Sequence, residues 1–336
     1  MTKKMLTGMA AGAAMTMMMT GNVLAEDYKV GIIQFMDHAS LNQIEAAIEK
    51  QLDARSAEGE DKFIYEGYVF NGQGDQSNLS QITTQLITDG VDIIIPIATP
   101  AVFPVQEQTA DSGLPVVFSA VSDPVTAGLV EGMNVPGANI TGTSDALNTR
   151  AIFDLMFAAD PELEKVGLLY SKSEDSSTQP IEEAKAYLDE KGVKYVEGTG
   201  TTAGEISQAV DSLIADGVGA IFTPTDNTVM NAELGIYEKL VEYGIPHYCG
   251  ANSFALNGAF CGYGVDYTML GTATADMAVE VLQGADPAEM PIRTFDSGIA
   301  TINTETAAAL GIDYSVFTEL CTSLEEVITE ENFTEE

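Results

Sequence analysis

Short apolar runs alternate with longer amphipathic stretches along most of the chain from residue 29 onward. The apolar runs have the length of buried strands, and the stretches between them, such as 77–89, have the apolar spacing of helices. Strands separated in this way by helices pair in parallel, so the pattern predicts an α/β protein. The predicted strands are 29–35, 63–70, 91–98, 114–121, 165–171, 193–200, 219–223 and 245–250.

The eight strands form two series that repeat short motifs in the same order. Lys-Val-Gly at 29–31 returns at 165–167, Asp-Gly-Val at 89–91 returns at 216–218, and Gly-Leu-Pro at 113–115 returns as Gly-Ile-Pro at 244–246. Three matches in order predict two lobes of the same topology. Ligands of open parallel sheets bind beyond the carboxyl ends of the strands, so two such lobes would enclose a cleft.

Small hydroxyls, amides and isolated carboxylates follow the predicted strands, at 34–38, 99–101, 119–123, 173–177, 225–227 and 250–252. Such groups exchange hydrogen bonds with a polar solute, and they include no evident pair of nucleophile and base. The pattern favours a binding site and predicts that the protein is not an enzyme.

The first 25 residues have the pattern of a secretory signal peptide, with Lys3 and Lys4 before an apolar stretch that ends in Val23-Leu24-Ala25. No later stretch approaches the roughly 20 apolar residues of a membrane span. The first cysteine is Cys249, so no lipid-anchor cysteine follows the expected cleavage site. We expect a periplasmic protein that is exported and not membrane-spanning.

Acidic residues dominate the composition. Loss of the two lysines of the signal peptide changes the formal net charge from −37 to −39, which opposes binding to nucleic acid or to anionic membranes. A solvated acidic surface and a ligand-steering field both remain open as interpretations.

The cysteines and histidines have no metal-site spacing, and we expect neither a metal nor another cofactor. Cys249 and Cys261 lie near the ends of successive predicted strands in an oxidising compartment, so a disulfide between them is a hypothesis. Cys321 would be left over.

Several longer motifs resemble one family, the substrate-binding proteins of ABC importers of the tryptophan and tyrosine type. They are ATPAVFPV at 98–105, VVFSAVSDPVTAGLV at 116–130, PGANITGTSD at 136–145, YSKSEDSS at 170–177, PTDN at 224–227 and GVDYTMLG at 264–271. The resemblance implies the type I periplasmic-binding fold and transport-linked binding of an amino acid, aromatic ones being best represented.

The resemblance also implies a set of ligand-binding residues on two walls of the cleft. The first wall would contain Gln34, His38, Thr99, Ala101, Ser119 and Ala120, and the second Ser176, Ser177, Asp226 and Asn227. At the second wall, the helix that begins at Ser176 would bind a carboxylate and Asp226 would pair with an ammonium. Ser176 and Asp226 have a competing interpretation as helix N-caps, and Ser176-Ser177 stands where the family commonly has Asn-Ser.

The expected architecture is two doubly wound parallel-sheet lobes joined by a three-strand hinge. The hinge strands are expected at 141–144, at 264–267 and after 291. The N-terminal lobe would comprise 26–143 plus about 268–292, and the C-terminal lobe 144–267 plus about 293–336.

The function expected from these features is delivery of a small polar ligand to an ABC permease that has a separate ATPase. The protein is expected to act as a monomer that closes on its ligand. A sensory protein that reports to a membrane receptor stays open as an alternative. An amino acid racemase is a further one, although Cys249 would need a second cysteine in the other lobe and none is present there.

Overall fold

The computed structural model describes residues 25–295 and 298–329. All of the predicted signal peptide except Ala25 lies outside the described residues. The strands are β1 Asp27–Gln34, β2 Lys62–Ile64, β3 Val69–Asn71, β4 Ile93–Ile97, β5 Val116–Phe118, β6 Ile140–Ser144, β7 Lys165–Tyr170, β8 Lys194–Thr199, β9 Ala220–Thr223, β10 His247–Cys249, β11 Cys261–Gly264, β12 Arg293–Thr294, β13 Ile299–Asn303 and β14 Ser323–Val327. The helices are α1 Ala39–Glu58, α2 Gln76–Asp89, α3 Thr99–Thr109, α4 Thr149–Ala159, α5 Asp175–Lys191, α6 Ala203–Ala215, α7 Asn227–Glu242, α8 Asn252–Leu256, α9 Tyr267–Leu282 and α10 Thr304–Leu310, with a 3-10 turn at Ser315–Glu319.

The first sheet has the strand order β12-β6-β5-β4-β1-β2, with β3 also paired to β1. Every one of these pairs is parallel. Helices α1 and α9 pack together on this sheet, and α2 and α3 form a second packed pair. Because helices cover it, all five residues of β4 are buried, and each buried isoleucine contributes about 1.5–3 kcal/mol of hydrophobic stabilisation. We call this sheet with its helices the first lobe.

The second sheet has the order β14-β13-β11-β10-β9-β7-β8. Helices α4 and α5 form one packed pair in this half and α6 and α7 another, and we call the sheet with its helices the second lobe. The predicted α/β class with two doubly wound lobes is confirmed. One strand differs from the expected all-parallel arrangement, since β13 runs antiparallel to β11.

Glycines explain why the two series of strands repeat their motifs. Gly90 and Gly217 follow the helices α2 and α6, and Gly113 and Gly244 precede the strands β5 and β10. All four have φ of 69–70°, a left-handed conformation that glycine adopts without steric cost. The repeated motifs therefore mark the same tight connections in both lobes.

The predicted strand at 63–70 is two strands in the structure. Gly67 has φ of 86°, and the N–H of Tyr68 donates to the carbonyl of Tyr65 in a turn at 2.8 Å. The turn divides the segment so that β2 pairs with the first half of β1 and β3 with the second half. Apolar content alone does not reveal such a break.

The chain passes between the two sheets three times. It leaves the first sheet after β6, returns from β11 into α9, and leaves again between β12 and β13. These crossings agree with the expected hinge segments, and α9 packs against α1 as the expected boundaries require. The numbered domain boundaries themselves stay a prediction.

The predicted disulfide between Cys249 and Cys261 is wrong for this structure, in which both thiols are free and buried. In the parallel pair of β10 and β11, Cys249 lies opposite Gly262 and Cys261 lies opposite Tyr248. Successive residues of a strand point to opposite faces, so the two sulfurs lie on opposite sides of the sheet. They accordingly belong to different core clusters.

The contact between α1 and α9 depends on a glycine. A Cβ atom at Gly271 would lie 2.6 Å from the carbonyl oxygen of Ile44 and 2.9 Å from the Cβ of Ala47. The two backbones therefore approach more closely than any residue other than glycine at position 271 would permit.

In the part of the chain that the structure describes, no helix is both long and apolar enough to cross a bilayer.

We predict that Gly271→Ala lowers the free energy of unfolding by about 1–3 kcal/mol, because α9 must move away from α1. Gly235→Ala in the exposed face of α7 is the matched control, since its Cβ would meet nothing within 4 Å. Alanine there is expected to add up to about 1 kcal/mol through helix propensity. Urea unfolding followed by circular dichroism measures both changes, and equal stabilities of the two variants would contradict the close helix contact.

Candidate functional site

A cleft lies between the carboxyl edges of the two sheets. Its first-lobe wall follows β1, β4, β5 and β6, and its second-lobe wall follows β7, β9 and β10. The lining residues are His38, Ser40, Leu41, Ala98, Thr99, Ala120, Ser122, Asp145, Ser176, Thr225, Asp226, Asn227, Met230, Ala251, Ser253, Phe254 and Tyr267. The cleft is thus where parallel-sheet topology predicts a ligand.

Two lining residues on the first-lobe wall have an unusual backbone. Ala98 after β4 has φ of 74° and Ala120 after β5 has φ of 55°. A residue with a Cβ atom loses about 1–2 kcal/mol in this left-handed region. Such strain is concentrated at ligand sites, and here it bends the chain at the end of each strand beside the cleft.

Several residues predicted from the sequence lie together in this lining. On the first wall these are His38, Thr99 and Ala120, and on the second they are Ser176, Asp226 and Asn227. The structure thus brings together, around one cavity, side chains that are nearly 200 positions apart in sequence.

The other predicted residues lie behind the lining, where they have partners of their own. The amide of Gln34 donates to the carbonyl of Met36 at 2.6 Å and to Asn42 Oδ1 at 2.7 Å. Ala101 is completely buried within α3. Sequence position places Gln34 at a strand end, but its side chain turns into its own lobe.

Ser119 and Ser177 are also turned away from the cleft. The hydroxyl of Ser119 bonds to Thr274 of α9 at 2.9 Å, which attaches that helix to the sheet. The hydroxyl of Ser177 donates to Asp226 Oδ2 at 2.6 Å. Strand alternation explains Ser119, because it points to the face opposite that of its neighbours in the chain.

Other lining residues were not predicted as site residues. Asp145 directly follows β6 and lies one residue beyond the segment 141–144 that the sequence assigned to the hinge. Tyr267 begins α9 and is the last residue of the assigned hinge segment 264–267. Ser122 and Thr225 lie within polar strand ends that were recognised, but as ranges only. The apolar residues Leu41, Met230 and Phe254 gave no signal, because at helical spacing they are indistinguishable from core positions.

Hydrogen bonds join the two walls directly. Ser40 Oγ donates to Ser253 Oγ at 2.6 Å, and His38 Nε2 lies 3.0 Å from Asn227 Oδ1. At the hinge side, the hydroxyls of Ser122 and Thr225 are 3.0 Å apart. The structure therefore represents a closed arrangement of the lobes.

Asp226 caps α7 and is fully engaged within its own lobe. Its Oδ1 accepts from the N–H of Val229 at 2.9 Å, and its Oδ2 accepts from the N–H of Ser171 at 2.7 Å and from Ser177. The competing interpretation as an N-cap is therefore correct for Asp226. Ser176 lies in the first turn of α5 and is not the cap, because the N-cap residue of α5 is Glu174.

Glu174 is a buried carboxyl that the sequence did not single out. Its oxygens accept from Asn227 Nδ2 at 2.6 Å and from the N–H of Thr228 at 2.9 Å. Burial and the neighbouring Asp226 raise the pKa of Glu174 to about 8, and burial also raises the pKa of Asp226. Both carboxyls therefore accept N–H groups at the N-terminus of α7, next to the start of α5.

Asp145 is buried with fewer partners. Ser122 Oγ donates to its Oδ1 at 2.9 Å, and the hydroxyl of Tyr267 is 3.4 Å from its Oδ2. Burial raises the pKa of Asp145, and no Lys or Arg is among the residues that line the cleft. A carboxylate has about four acceptor positions, so Asp145 keeps acceptor capacity for a further donor.

The N-terminus of α3 has a positive partial charge, opposite in sign to the charge of a carboxylate. Its N-cap residue Ala98 provides no side-chain cap. Pro100 in the first turn has no N–H, and the N–H of Ala101 donates to the carbonyl of Ala98 at 3.0 Å, so this end attracts an anion mainly through the positive end of the helix dipole. The hydroxyl of Thr99 is buried and without a hydrogen-bond partner. Both features lie in the lining of the cleft.

A family model described as ABC transporter substrate binding protein matches residues 29–320. The chain belongs to this family. The match covers the whole cleft of this substrate-binding protein and both of its sheets apart from β14 and the first two residues of β1, and the protein shares the type I periplasmic-binding fold.

Similar proteins are known from several bacteria. The tyrosine-binding protein of Clostridioides difficile strain R20291 is 29% identical over 323 residues, which are 92% of each chain. A crystal structure of an ABC domain in complex with L-Trp from Streptococcus pneumoniae has a TM-score of 0.82 at 32% identity and covers 89% of this chain and 99% of its own. The ligand-free, open structure of CD0873, a substrate-binding protein from Clostridium difficile, has a TM-score of 0.68 at 28% identity and covers 90% and 100%.

The racemase alternative requires a reactive thiol in the cleft. Cys249 does not line the cleft of this substrate-binding protein, and burial raises the pKa of its thiol well above the ordinary value. The thiolate is the reactive form, so Cys249 is suited to the core rather than to proton transfer.

A buried Thr223–His247–Glu233 arrangement in the second lobe resembles a nucleophile with its base. His247 lies 2.8 Å from Thr223 Oγ1 and 3.1 Å from Glu233 Oε1. The hydroxyl of Thr223, however, donates to the carbonyl of Leu169, and all three side chains are buried away from the cleft. This arrangement links β9, β10 and α7 by hydrogen bonds.

Within residues 25–295 and 298–329, no group of His, Cys, Asp and Glu has the geometry to hold a metal.

The raised pKa of Glu174 predicts a pH dependence of stability. The folded state holds this proton up to about pH 8, whereas the unfolded carboxyl releases it near pH 4.3. Stability is therefore fully present below about pH 4 and is lost as the pH rises toward 8, by at most a few kcal/mol. Glu174→Gln is expected to flatten this slope in urea unfolding at pH 5 and pH 8. Asp189→Asn, at an exposed position of the same helix, should keep the wild-type slope; identical slopes in all three proteins would contradict the assignment.

Proposed function

We propose that this substrate-binding protein binds an amino acid in the cleft, most favourably an aromatic one, and delivers it to an ABC permease. The observation that carries this proposal is the opposite polarity of two groups in one lining. Among the described residues that line the cleft, no Lys or Arg accompanies Asp145, and the first turn of α3 beside Thr99 has no acidic residue. The ammonium and carboxylate of a zwitterion supply both.

The proposed orientation differs from the one expected from sequence. Asp226 has three donors from its own lobe, so Asp145 is the better partner for an ammonium. Burial and their mutual proximity raise the pKa of Glu174 and of Asp226, so negative charge is unfavourable beside the N-terminus of α5 and a ligand carboxylate is disfavoured there. The N-terminus of α3 has no acidic residue in its first turn, and it therefore takes the carboxylate.

Apolar lining residues support an aromatic side chain on the ligand. Leu41, Met230 and Phe254 come from three different helices and face the same cavity. A methionine sulfur and an aromatic ring are favourable contacts for another ring. The relatives agree with this preference, since one is named a tyrosine-binding protein and another was solved with L-Trp.

Transport follows from family membership together with closure. The interlobe hydrogen bonds form only when both walls meet. A ligand that contacts Asp145 and α3 on the first wall and also Met230 and Phe254 on the second shifts the population toward the closed form. The permease, a separate membrane protein, then recognises this form outside the cytoplasmic membrane, after export directed by residues 1–25. Its ATPase is a further separate chain. Reporting to a membrane receptor uses the same closure and remains the alternative.

We predict that L-Trp or L-Tyr at 100 times its dissociation constant adds about 2.7 kcal/mol of stability, measured by thermal shift and calorimetry. Asp145→Asn should weaken binding at least about 30-fold, because the ammonium loses its buried counter-charge. Asp123→Asn removes a charge from the neighbouring loop, which follows β5, without changing a residue of the lining, and it should keep the affinity. Binding by Asp145→Asn at the wild-type level would reject this role.

Compounds that lack one charged group test the two ends separately. The deaminated acid of the ligand should bind wild type and Asp145→Asn equally, whereas the decarboxylated amine should remain sensitive to the substitution. Equal sensitivity of both compounds would show that Asp145 acts only through the structure of the cleft.

Closure is expected to be visible in solution. Small-angle scattering of the mature protein should give a smaller radius of gyration with saturating ligand than without it. No compaction with a tightly bound ligand would contradict the closure mechanism.

A further inference from the structure

A chain of hydrogen bonds fixes which nitrogen of His38 carries its hydrogen. The proton that Glu174 holds can lie on Oε1, which is 3.1 Å from the hydroxyl oxygen of Thr228. Oε2 then accepts from Asn227 Nδ2 at 2.6 Å, so the oxygen of this amide is the atom that faces His38. That oxygen lies 3.0 Å from His38 Nε2. An amide oxygen only accepts hydrogen bonds, and His38 Nε2 is therefore the donor.

The second nitrogen of the ring is consequently an acceptor. Burial lowers the pKa of His38 to about 4, so near neutral pH the ring carries one hydrogen, which is on Nε2. Nδ1 is buried and has no hydrogen-bond partner. An unsatisfied buried acceptor is unfavourable, and a donor on a bound ligand would satisfy it.

The position of His38 shows which part of the ligand this donor belongs to. Leu41 lies one turn after His38 on α1, and Met230 lies one turn after Asn227 on α7, so each pair shares a helix face. All four residues line the cleft. The His38–Asn227 bond thus adjoins the apolar part of the lining, which would hold the ligand side chain, while Asp145 is at the hinge.

We propose that His38 Nδ1 accepts a hydrogen bond from an N–H or O–H group on the ligand side chain. The protein then selects phenol or indole side chains over aromatic side chains that lack a donor. This inference rests on the proposed binding of an amino acid and adds to it the residue that sets specificity. A site built to pair with such a donor discriminates strongly against an isostere without it.

Matched ligands test the proposal by calorimetry. L-Tyr is compared with L-Phe, and L-Trp with 3-benzothienyl-L-alanine, in which sulfur replaces the indole N–H. Wild-type protein should bind the donor-bearing member of at least one pair 10-fold or more tightly. In His38→Phe, which keeps a ring of similar shape, the ratio within that pair should fall to within about threefold of one.

A second variant separates specificity from closure. Ser40→Ala removes a different interlobe hydrogen bond, so it should weaken both members of a pair by the same factor and keep the wild-type ratio. A wild-type ratio near one in both pairs, or an unchanged ratio in His38→Phe, would overturn the role of His38. Absence of binding by all four amino acids would instead reject the proposed function.

Discussion

The geometry of a parallel sheet is the constraint on which the rest of this protein depends. Every strand of such a sheet ends at the same edge, and the helices that follow begin there with unpaired N–H groups. Two sheets of this kind face each other here, so the polar ends of both converge on one cavity. Backbone topology thus supplies the site, and side chains decide what it binds.

The lobes use their charges asymmetrically. Acidic groups collect at Glu174 and Asp226 on the second lobe and at Asp145 beside the hinge, whereas the uncapped end of α3 belongs to the first lobe. Hydroxyls connect these groups, since Ser122 donates to Asp145 and is itself bonded to Thr225 across the cleft. A ligand charge at Asp145 would therefore act on both lobes through these hydrogen-bonded hydroxyls.

Much of the fold followed from the sequence because it is encoded locally. Strand runs, helix spacing and the repeated glycines each depend on a few neighbouring residues. They predicted the two lobes and the helix α9, with which the chain returns to the first lobe.

The site was predicted less fully, because strand position does not determine side-chain direction. Ser119 and Gln34 lie at strand ends as expected, yet they turn into their lobe. The predicted disulfide between Cys249 and Cys261 was wrong for the same reason, since the strand register decides which face of the sheet each cysteine occupies. Asp145 was missed because a hinge residue and a ligand contact look alike in one sequence.

The interleaving of the chain has a consequence for how the protein is made. The first sheet and its helix layer are completed by α9 and β12, which lie at 267–294. A ribosome that has produced only the first half of the chain has therefore made an incomplete lobe with one side of α1 exposed. Neither lobe can be completed before the last third of the chain has been synthesised. Contacts between residues that are distant in sequence favour slow folding. The packing of α1 is thus completed only after more than two hundred further residues have been added to the chain.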